Sequence, residues 1–382
     1  MATLERVFGV RTVMDAVEQH PDATIRDDLP CTNLFKMGLK GEVRGRRAYF
    51  DSRAKRRRLA PLKGRDDTPH EITSPDEVEK SVGVFSTVES QPFLPSEIFV
   101  DKRGFGELVN DNAAKRVMDA VEDLMSNARR TQELICAQIL QSAGAAVTLS
   151  SALIPNTDIS ESITFSDIQT QAMSSKWNVA TAKILSGANQ LKGAKKLLKD
   201  KGYRPGMIIF TDEAARGLYG NSEIKDWAAA GSMPFNLEYI RDHVNGFDQA
   251  ASRRGEDPFA GSRLNGLGGI EKWLQWDHGY GLETSADAFT KFITDGQGVL
   301  LPTMEDIPRV LGWAEAPALI PTGPNVIGGG AEAAGLVSKE NGIAVYAYME
   351  LEYPHRIVLV CQSHWVAYVR DGFGIVTLTN LA

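Results

Sequence analysis

Catalysis and metal binding need side chains that converge, so the titratable residues set the first bounds. The six histidines, His20, His70, His243, His278, His355 and His364, are scattered, and no His-x-x-x-His or Cys-x-x-Cys pair occurs. The spacing that places two metal ligands on one element is therefore missing. Trp276-Asp277-His278 could form a fragment of an acid–base site; we read it as a core tryptophan followed by a polar turn. Asp66-Asp67 and Asp257 are carboxylates in loop-like sequence and read as solvated. No Gly-x-Ser-x-Gly elbow is present. Gly266-Leu267-Gly268-Gly269 lacks the Lys-Ser/Thr ending and the preceding strand of a phosphate loop. His364-Trp365 lies in strand-like sequence and reads as packing. No catalytic residue, no cofactor and no metal site is expected.

The elements that would have to position any site are clearer. From Asn110 to Gly144, Val117, Val121, Leu124, Ala128, Ile135 and Ile139 recur at steps that draw one apolar stripe on a helix. Asn110 or Asp111 can cap its start, and Gly144 suits a left-handed stop. Such a helix, placed at residues 111–143, is roughly 50 Å long. Thr131 and Gln132 interrupt the stripe, which argues against a coiled coil and for a rod that carries other elements. The spacing further predicts a short helix over Leu4 to Glu18, a strand pair between Ala145 and Phe165, and a helix from Asn178 to Lys201. A buried strand at Pro205 to Thr211 and a helix from Asp212 to Leu218 follow, an order that suggests a compact α/β domain. Strands are expected at Gly296 to Pro302 and Ile307 to Pro317. The C-terminal strands are expected at Ala344 to Glu352, Arg356 to Ser363, Trp365 to Arg370 and Gly374 to Leu378. Pro321 to Gly335 reads as a mobile loop.

Composition limits the class. The 382 residues are 43% hydrophobic and 24% charged, as in a folded soluble protein. No apolar run reaches the roughly 18 residues of a membrane span, and Met1 to Val10 does not read as a signal peptide. Cys31, Cys136 and Cys361 form neither a disulfide framework nor a zinc spacing, which fits a reducing compartment. The net charge of −7 argues against a dedicated nucleic-acid binder. Charge is nevertheless uneven. Ten lysines and arginines crowd between Arg44 and Arg65, and an acidic stretch from Asp66 to Glu79 follows. A solvated hairpin, a nucleic-acid patch and a projecting loop that docks on acidic neighbours all fit that pattern.

The order as a whole resembles the major capsid proteins of tailed phages, in particular the lambda-type coat protein E family. The resemblance rests on Arg53-Ala54-Lys55-Arg56-Arg57-Arg58-Leu59-Ala60-Pro61 in a two-stranded excursion and on Arg129-Arg130-Thr131-Gln132-Glu133-Leu134 in the long helix. Pro205-Gly206-Met207-Ile208-Ile209-Phe210, Asp277-His278-Gly279-Tyr280 and Gly298-Val299-Leu300-Leu301-Pro302 add to it. It implies an α+β chain with the Hong Kong 97 phage coat fold. The implied parts are an N-terminal arm (1–40), an extended E-loop hairpin (41–97) and a peripheral domain with the spine helix (98–177). An α/β axial domain (178–305) and return strands (306–382) complete them. Residues 241–265 look like an insertion.

The resemblance further implies a structural, non-enzymatic subunit of hexamers and pentamers in an icosahedral head, assembled in the host cytoplasm around double-stranded DNA. Its partners would be copies of itself, a separate scaffold, a portal and a decoration protein, with non-specific contact to packaged DNA and no membrane. Arg53, Arg56, Arg57, Arg58, Asp66, Asp67 and Glu71 would lie at the inter-subunit interface, and Val117, Val121, Leu124, Ile135 and Ile139 would pack the spine helix. Removing residues 1–40 is expected to leave a folded but assembly-poor subunit. A nucleic-acid binder using residues 44–65 and a soluble α/β enzyme centred on residues 178–300 remain the alternatives.

Overall fold

The computed structural model describes residues 29–44, 46–52, 78–94, 111–150, 153–154, 160–230, 267–282, 285–316, 343–350 and 356–382. The chain runs through α1 (Pro30–Met37), β1 (Leu39–Lys40), β2 (Glu42–Arg44), β3 (Arg47–Ser52), β4 (Val78–Gly83) and β5 (Phe85–Phe93) to the spine helix α2 (Asp111–Gln141). The hairpin β6 (Ala146–Leu149) and β7 (Glu161–Thr164) leads to β8 (Gln169–Ala172), α3 (Leu191–Asp200), β9 (Pro205–Phe210), α4 (Asp212–Gly220) and α5 (Ser222–Ala230). Then come β10 (Lys272–Gln275), the hairpin β11 (Gly279–Leu282) and β12 (Ser285–Lys291), β13 (Gly298–Pro302) and a single turn, α6 (Ile307–Val310). The last strands are β14 (Leu311–Glu315), β15 (Ile343–Glu350), β16 (Arg356–Val369) and β17 (Val376–Thr379).

Two five-stranded sheets carry the fold. The first is built on β16, whose 14 residues bond β5 along one edge and β15 and then β14 along the other, with β1 outside β14. The sequence pattern predicts two strands here, split at His364. One continuous strand forms because three different neighbours take up its backbone groups in turn. The second sheet has the order β10-β9-β13-β17-β8. The unbroken apolar run of β9 is buried at every position, as is β13 beside it, the pattern of strands covered on both faces. Gly206 is required there, because a Cβ would collide with the backbone of Thr303.

Where local pattern and structure part, long-range bonds explain it. The spacing predicts a helix over residues 178–201, yet only Leu191–Asp200 is helical. The preceding turns give their backbone groups to distant side chains. Asn221 Nδ2 donates to the carbonyls of Val179 and Ala182, and the Glu223 carboxylate accepts from the amides of Leu185 and Ser186. Likewise Ile307 to Pro317 begins as a helical turn, with Pro308 in its first turn, before β14 starts. The helix expected at Leu4 to Glu18, the turn at Pro155-Asn156, the insertion at 241–265 and the loop at 321–335 lie outside the described residues.

The spine helix joins two cores. Its N-terminal half lays Val117, Val121, Leu124 and Met125 on Phe93, Val345, Ile357 and Leu359 of the first sheet. Its C-terminal half puts Leu134, Ile135, Ile139 and Leu140 into the main core shared with the second sheet. The helix ends at Gln141, and Gly144 follows at φ +80°, a conformation that favours glycine.

Between the halves sit Arg129, Gln132 and Glu133, all buried. Gln132 Nε2 donates to Ser363 Oγ at 3.2 Å. Glu133 accepts the amides of Cys31 and Thr32 at 2.8 and 2.7 Å. These are the second and third residues of α1, so one buried carboxylate caps a helix about a hundred residues away. Pro30 has no amide to offer, which suits the first position. Through this cap Cys31, Leu34 and Phe35 enter the main core. Residues 30–37 are therefore part of the folded body, and a deletion of residues 1–40 would remove core. That corrects the expectation that such a deletion leaves the subunit folded.

Burial pushes the Glu133 carboxyl above its ordinary range, against the pull of its amide donors. Burial, with Arg129 nearby, lowers Lys36 to about 8, against the opposing fields of Glu315, Cys136 and Glu133. The Lys36 ammonium lies 5.2 Å from the ring centre of Trp313. Trp313 stacks on Trp365 at 5.0 Å, and Phe85 meets Trp365 edge-on at 5.2 Å.

Two outcomes are expected. Trp365→Ala should cost about 3–5 kcal/mol, read as a lower urea midpoint of the subunit. For Glu133 the folded state holds the proton more tightly than the unfolded chain. Its contribution to stability is then full below about pH 4.5 and is lost as pH rises through the raised value. Glu133→Gln should lack that slope. Urea midpoints of both proteins from pH 4.5 to 8 check this, and parallel profiles would refute it.

Candidate assembly interface

The basic and acidic excursion is held by a small sheet. β2, β3 and β4 pair antiparallel, with Ser52 opposite Val78 at the far end. Alternation along β3 turns Ala48 and Phe50 into the main core, and Phe50 stacks on Tyr368 with ring centres 4.1 Å apart. Arg47 and Tyr49 take the other face, where Arg47 bonds Ser81 Oγ at 3.1 Å and Arg44 pairs with Glu42 at 2.8 Å. Arg370 Nε donates to the carbonyl of Asp51 at 3.1 Å. Both ends of residues 53–77 are thereby fixed side by side on the body. Arg53, Arg56, Arg57, Arg58, Asp66, Asp67 and Glu71 themselves lie outside the described residues, as do residues 1–28.

β5 continues from this sheet. Among the described residues its only strand partner is β16, and Ser86 and Val88 to Pro92 are exposed. Val88, at 64% exposure, is an uncovered apolar side chain on that edge. Glu89 and Pro92 are the residue types that keep an open edge from pairing indiscriminately. Glu89 also accepts from Asn127 of the spine helix at 3.0 Å.

The five residues expected to pack the spine helix divide between the cores: Val117, Val121 and Leu124 on the first sheet, Ile135 and Ile139 in the main core. Sequence reasoning does not find the pairing of Glu133 with α1. The local signal present is Pro30 followed by three small or polar residues, which suits a helix start.

The polar residues of the α/β region are engaged in structure. Asp277 Oδ1 accepts the amide of Asp212 at the start of α4 at 2.7 Å, while Gln275 Nε2 bridges Asp212 and Asp277 at 3.1 and 3.0 Å. Lys291 lies 3.4 Å from Asp277 and 2.6 Å from Asp295. Burial works against its charge, but the two carboxylates outweigh it and raise its pKa. Trp276 is buried and stacks on Phe292 at 5.3 Å. His364 Nδ1 is 2.7 Å from Ser86 Oγ, and Trp365 beside it is fully buried. Leu267–Gly269 form a short 3-10 turn whose Gly268 carbonyl accepts the Lys195 ammonium. Among the described residues no group of three or more His, Cys, Asp or Glu side chains is placed to hold a metal ion, and no helix is long and apolar enough to cross a membrane.

A comparison with curated proteins finds no match. Among solved structures, the chain is similar to the putative capsid protein of a prophage from E. coli CFT073, at 11% identity and a TM-score of 0.57 over 98% of this chain and 99% of that one. It also aligns with a phage-related protein from Bordetella bronchiseptica RB50, at 11% identity and a TM-score of 0.48 over 98% of each chain. The first likeness shows the fold, an α+β Hong Kong 97 coat fold. The family model for phage major capsid protein E matches residues 10–312. With most of its length matched, the chain belongs to the phage major capsid protein E family, and its role is structural, as a self-associating subunit of the phage head shell.

Proposed function

We propose that the subunit forms the hexamers and pentamers of an icosahedral head around double-stranded DNA, and that residues 53–77 and 1–28 supply contacts between neighbours. The observation that carries this is the anchoring of the excursion. Ala48 and Phe50 fix its base in the core, while Ser52 and Val78 face each other at the two ends of residues 53–77. It carries seven basic residues, from Arg53 to Arg65, followed by five acidic ones from Asp66 to Glu77.

A strand-anchored excursion with a basic first half and an acidic second half can pair reciprocally with a copy of itself. Each exposed ion pair contributes only about 0–1 kcal/mol and weakens with salt. Such pairs therefore set register, while apolar burial at about 25 cal/mol per Å² supplies most of the adhesion. In the same reading the subunit has no catalytic role, assembles in the host cytoplasm, and works with a separate scaffold, a portal and a decoration protein. The consumption of Asp277, Gln275 and Lys291 in a structural network supports a non-enzymatic chain.

Arg56→Gln, Arg57→Gln and Arg58→Gln together should abolish particles in negative-stain electron microscopy, with the subunit still folded and its binding to duplex DNA little changed. Wild-type particles with DNA binding lost would reverse the reading toward a nucleic-acid patch. Deleting residues 1–28, which spares α1, should likewise give a folded subunit with few particles.

A further inference from the structure

The positive charge of the chain is concentrated a second time, in the α/β region. From Lys176 to Arg204 there are eight lysines and arginines against the single carboxylate of Asp200, a net of +7 in a chain whose total is −7. The fold gathers this segment. Ser174 donates its amide to Asn189, Gln190 Nε2 reaches Ser174 and Ser175, and Leu191 donates to Ile184, so the turns before α3 close on its first residues.

On α3 itself Leu191, Ala194 and Leu198 are buried. Lys192, Lys196 and Lys199 then share the opposite, exposed stripe, as residues three, four and seven apart must on a helix. Elsewhere in the segment Lys176, Lys183, Lys201 and Arg204 are also exposed.

These charges are not neutralised internally. Lys176, Lys183, Lys192, Lys196, Lys199 and Arg204 make no ion pair with another described residue. Glu223, a carboxylate close by, is committed to the amides of Leu185 and Ser186. Lys195 shows how dense the field is: burial lowers its pKa, and Lys199 and Lys192 lower it further against Glu223. Its ammonium turns inward to the Gly268 carbonyl, leaving the other three to solvent.

The chemistry of the row selects its partner. Lysines are flexible point charges that meet phosphates without reading bases. The aromatic residues of the segment, Trp177 and Tyr203, are buried and offer no stacking platform for single strands. From Lys192 to Lys199 the row spans about 10 Å, close to three base-pair steps of about 3.4 Å each.

We propose that the exposed lysine row of α3, Lys192, Lys196 and Lys199, is a sequence-independent contact for the phosphate backbone of duplex DNA. It rests on the reading above that the head encloses double-stranded DNA, and it assigns that contact to this surface rather than to residues 44–65.

The test compares the full wild-type chain with Lys192→Gln/Lys196→Gln/Lys199→Gln, substitutions that keep helix propensity nearly constant. A fluorescent 30-base-pair duplex of mixed sequence is titrated between 50 and 200 mM NaCl, and particle yield is scored in parallel by electron microscopy. Losing three phosphate contacts should make the slope of log K against log salt shallower by about 2.7, so the wild type loses about 40-fold more affinity over that range. Particle yield should be unchanged. An unchanged slope overturns the proposal, and does so whether or not shells form. Binding of poly-glutamate but not of duplex by the wild type overturns it in favour of an acidic protein partner. A wild type that forms no particles even with its scaffold co-expressed defeats the shell reading separately, while the slope still decides the lysine contact.

Discussion

A carboxylate at the centre of the molecule must find donors, and the fold is arranged around how Glu133 finds them. An ionised side chain removed from water is costly unless it is hydrogen-bonded. No residue of the spine helix can supply amides to it, because helical amides are already bonded to carbonyls four residues back. The start of another helix has spare donors to offer. Pinning α1 there brings Cys31, Leu34 and Phe35 into the main core, sets Lys36 over Trp313, and leads the chain into β1 beside β14. The same level of the spine holds Gln132 against Ser363 of β16. One polar layer thus fixes three elements at the height where the spine passes from one core to the other. A purely apolar helix of this length would slide more freely along its neighbours.

Much of this is legible where the signal is local. The stripe from Val117 to Ile139 marks the buried side of the spine, and the run Met207 to Phe210 marks a doubly covered strand, because helix and strand periodicities are short-range properties. The interruption at Thr131 and Gln132 is visible too, but it reads differently in three dimensions. It is the boundary between two cores. What cannot be read is whatever depends on distant partners. The turns at 178–190 are held by Asn221 and Glu223, some 35 to 45 residues later. The continuity of β16 through His364 depends on β5, which pairs across the point where β15 ends at Ser363 and β14 begins at Trp365. The cap on α1 spans about a hundred residues. At the interface the charges of residues 53–77 can be read directly, whereas the anchoring by Ala48 and Phe50 shows only once β3 and β4 are paired.

Charge follows a division of labour that the net value of −7 conceals. Among the described residues the buried Glu133 has a structural duty, accepting the amides of Cys31 and Thr32. The dense clusters lie in segments 44–79 and 176–204, one mixed in sign and the other nearly all positive. A mixed cluster suits recognition of like by like, since each half has its complement on an identical copy. A one-signed cluster cannot pair with itself and needs a polyanion. Two surfaces with different ionic logic can therefore operate on one chain without competing.

The place of β17 in the second sheet has a consequence in time. Residues 376–379 lie between β13 and β8, so β8, at residues 169–172, has no sheet neighbour until some 200 more residues have been translated. Pairing across so long an interval is intrinsically slow. A chain still short of residue 379 therefore presents an unfinished α/β unit, with β8 lacking its strand partner.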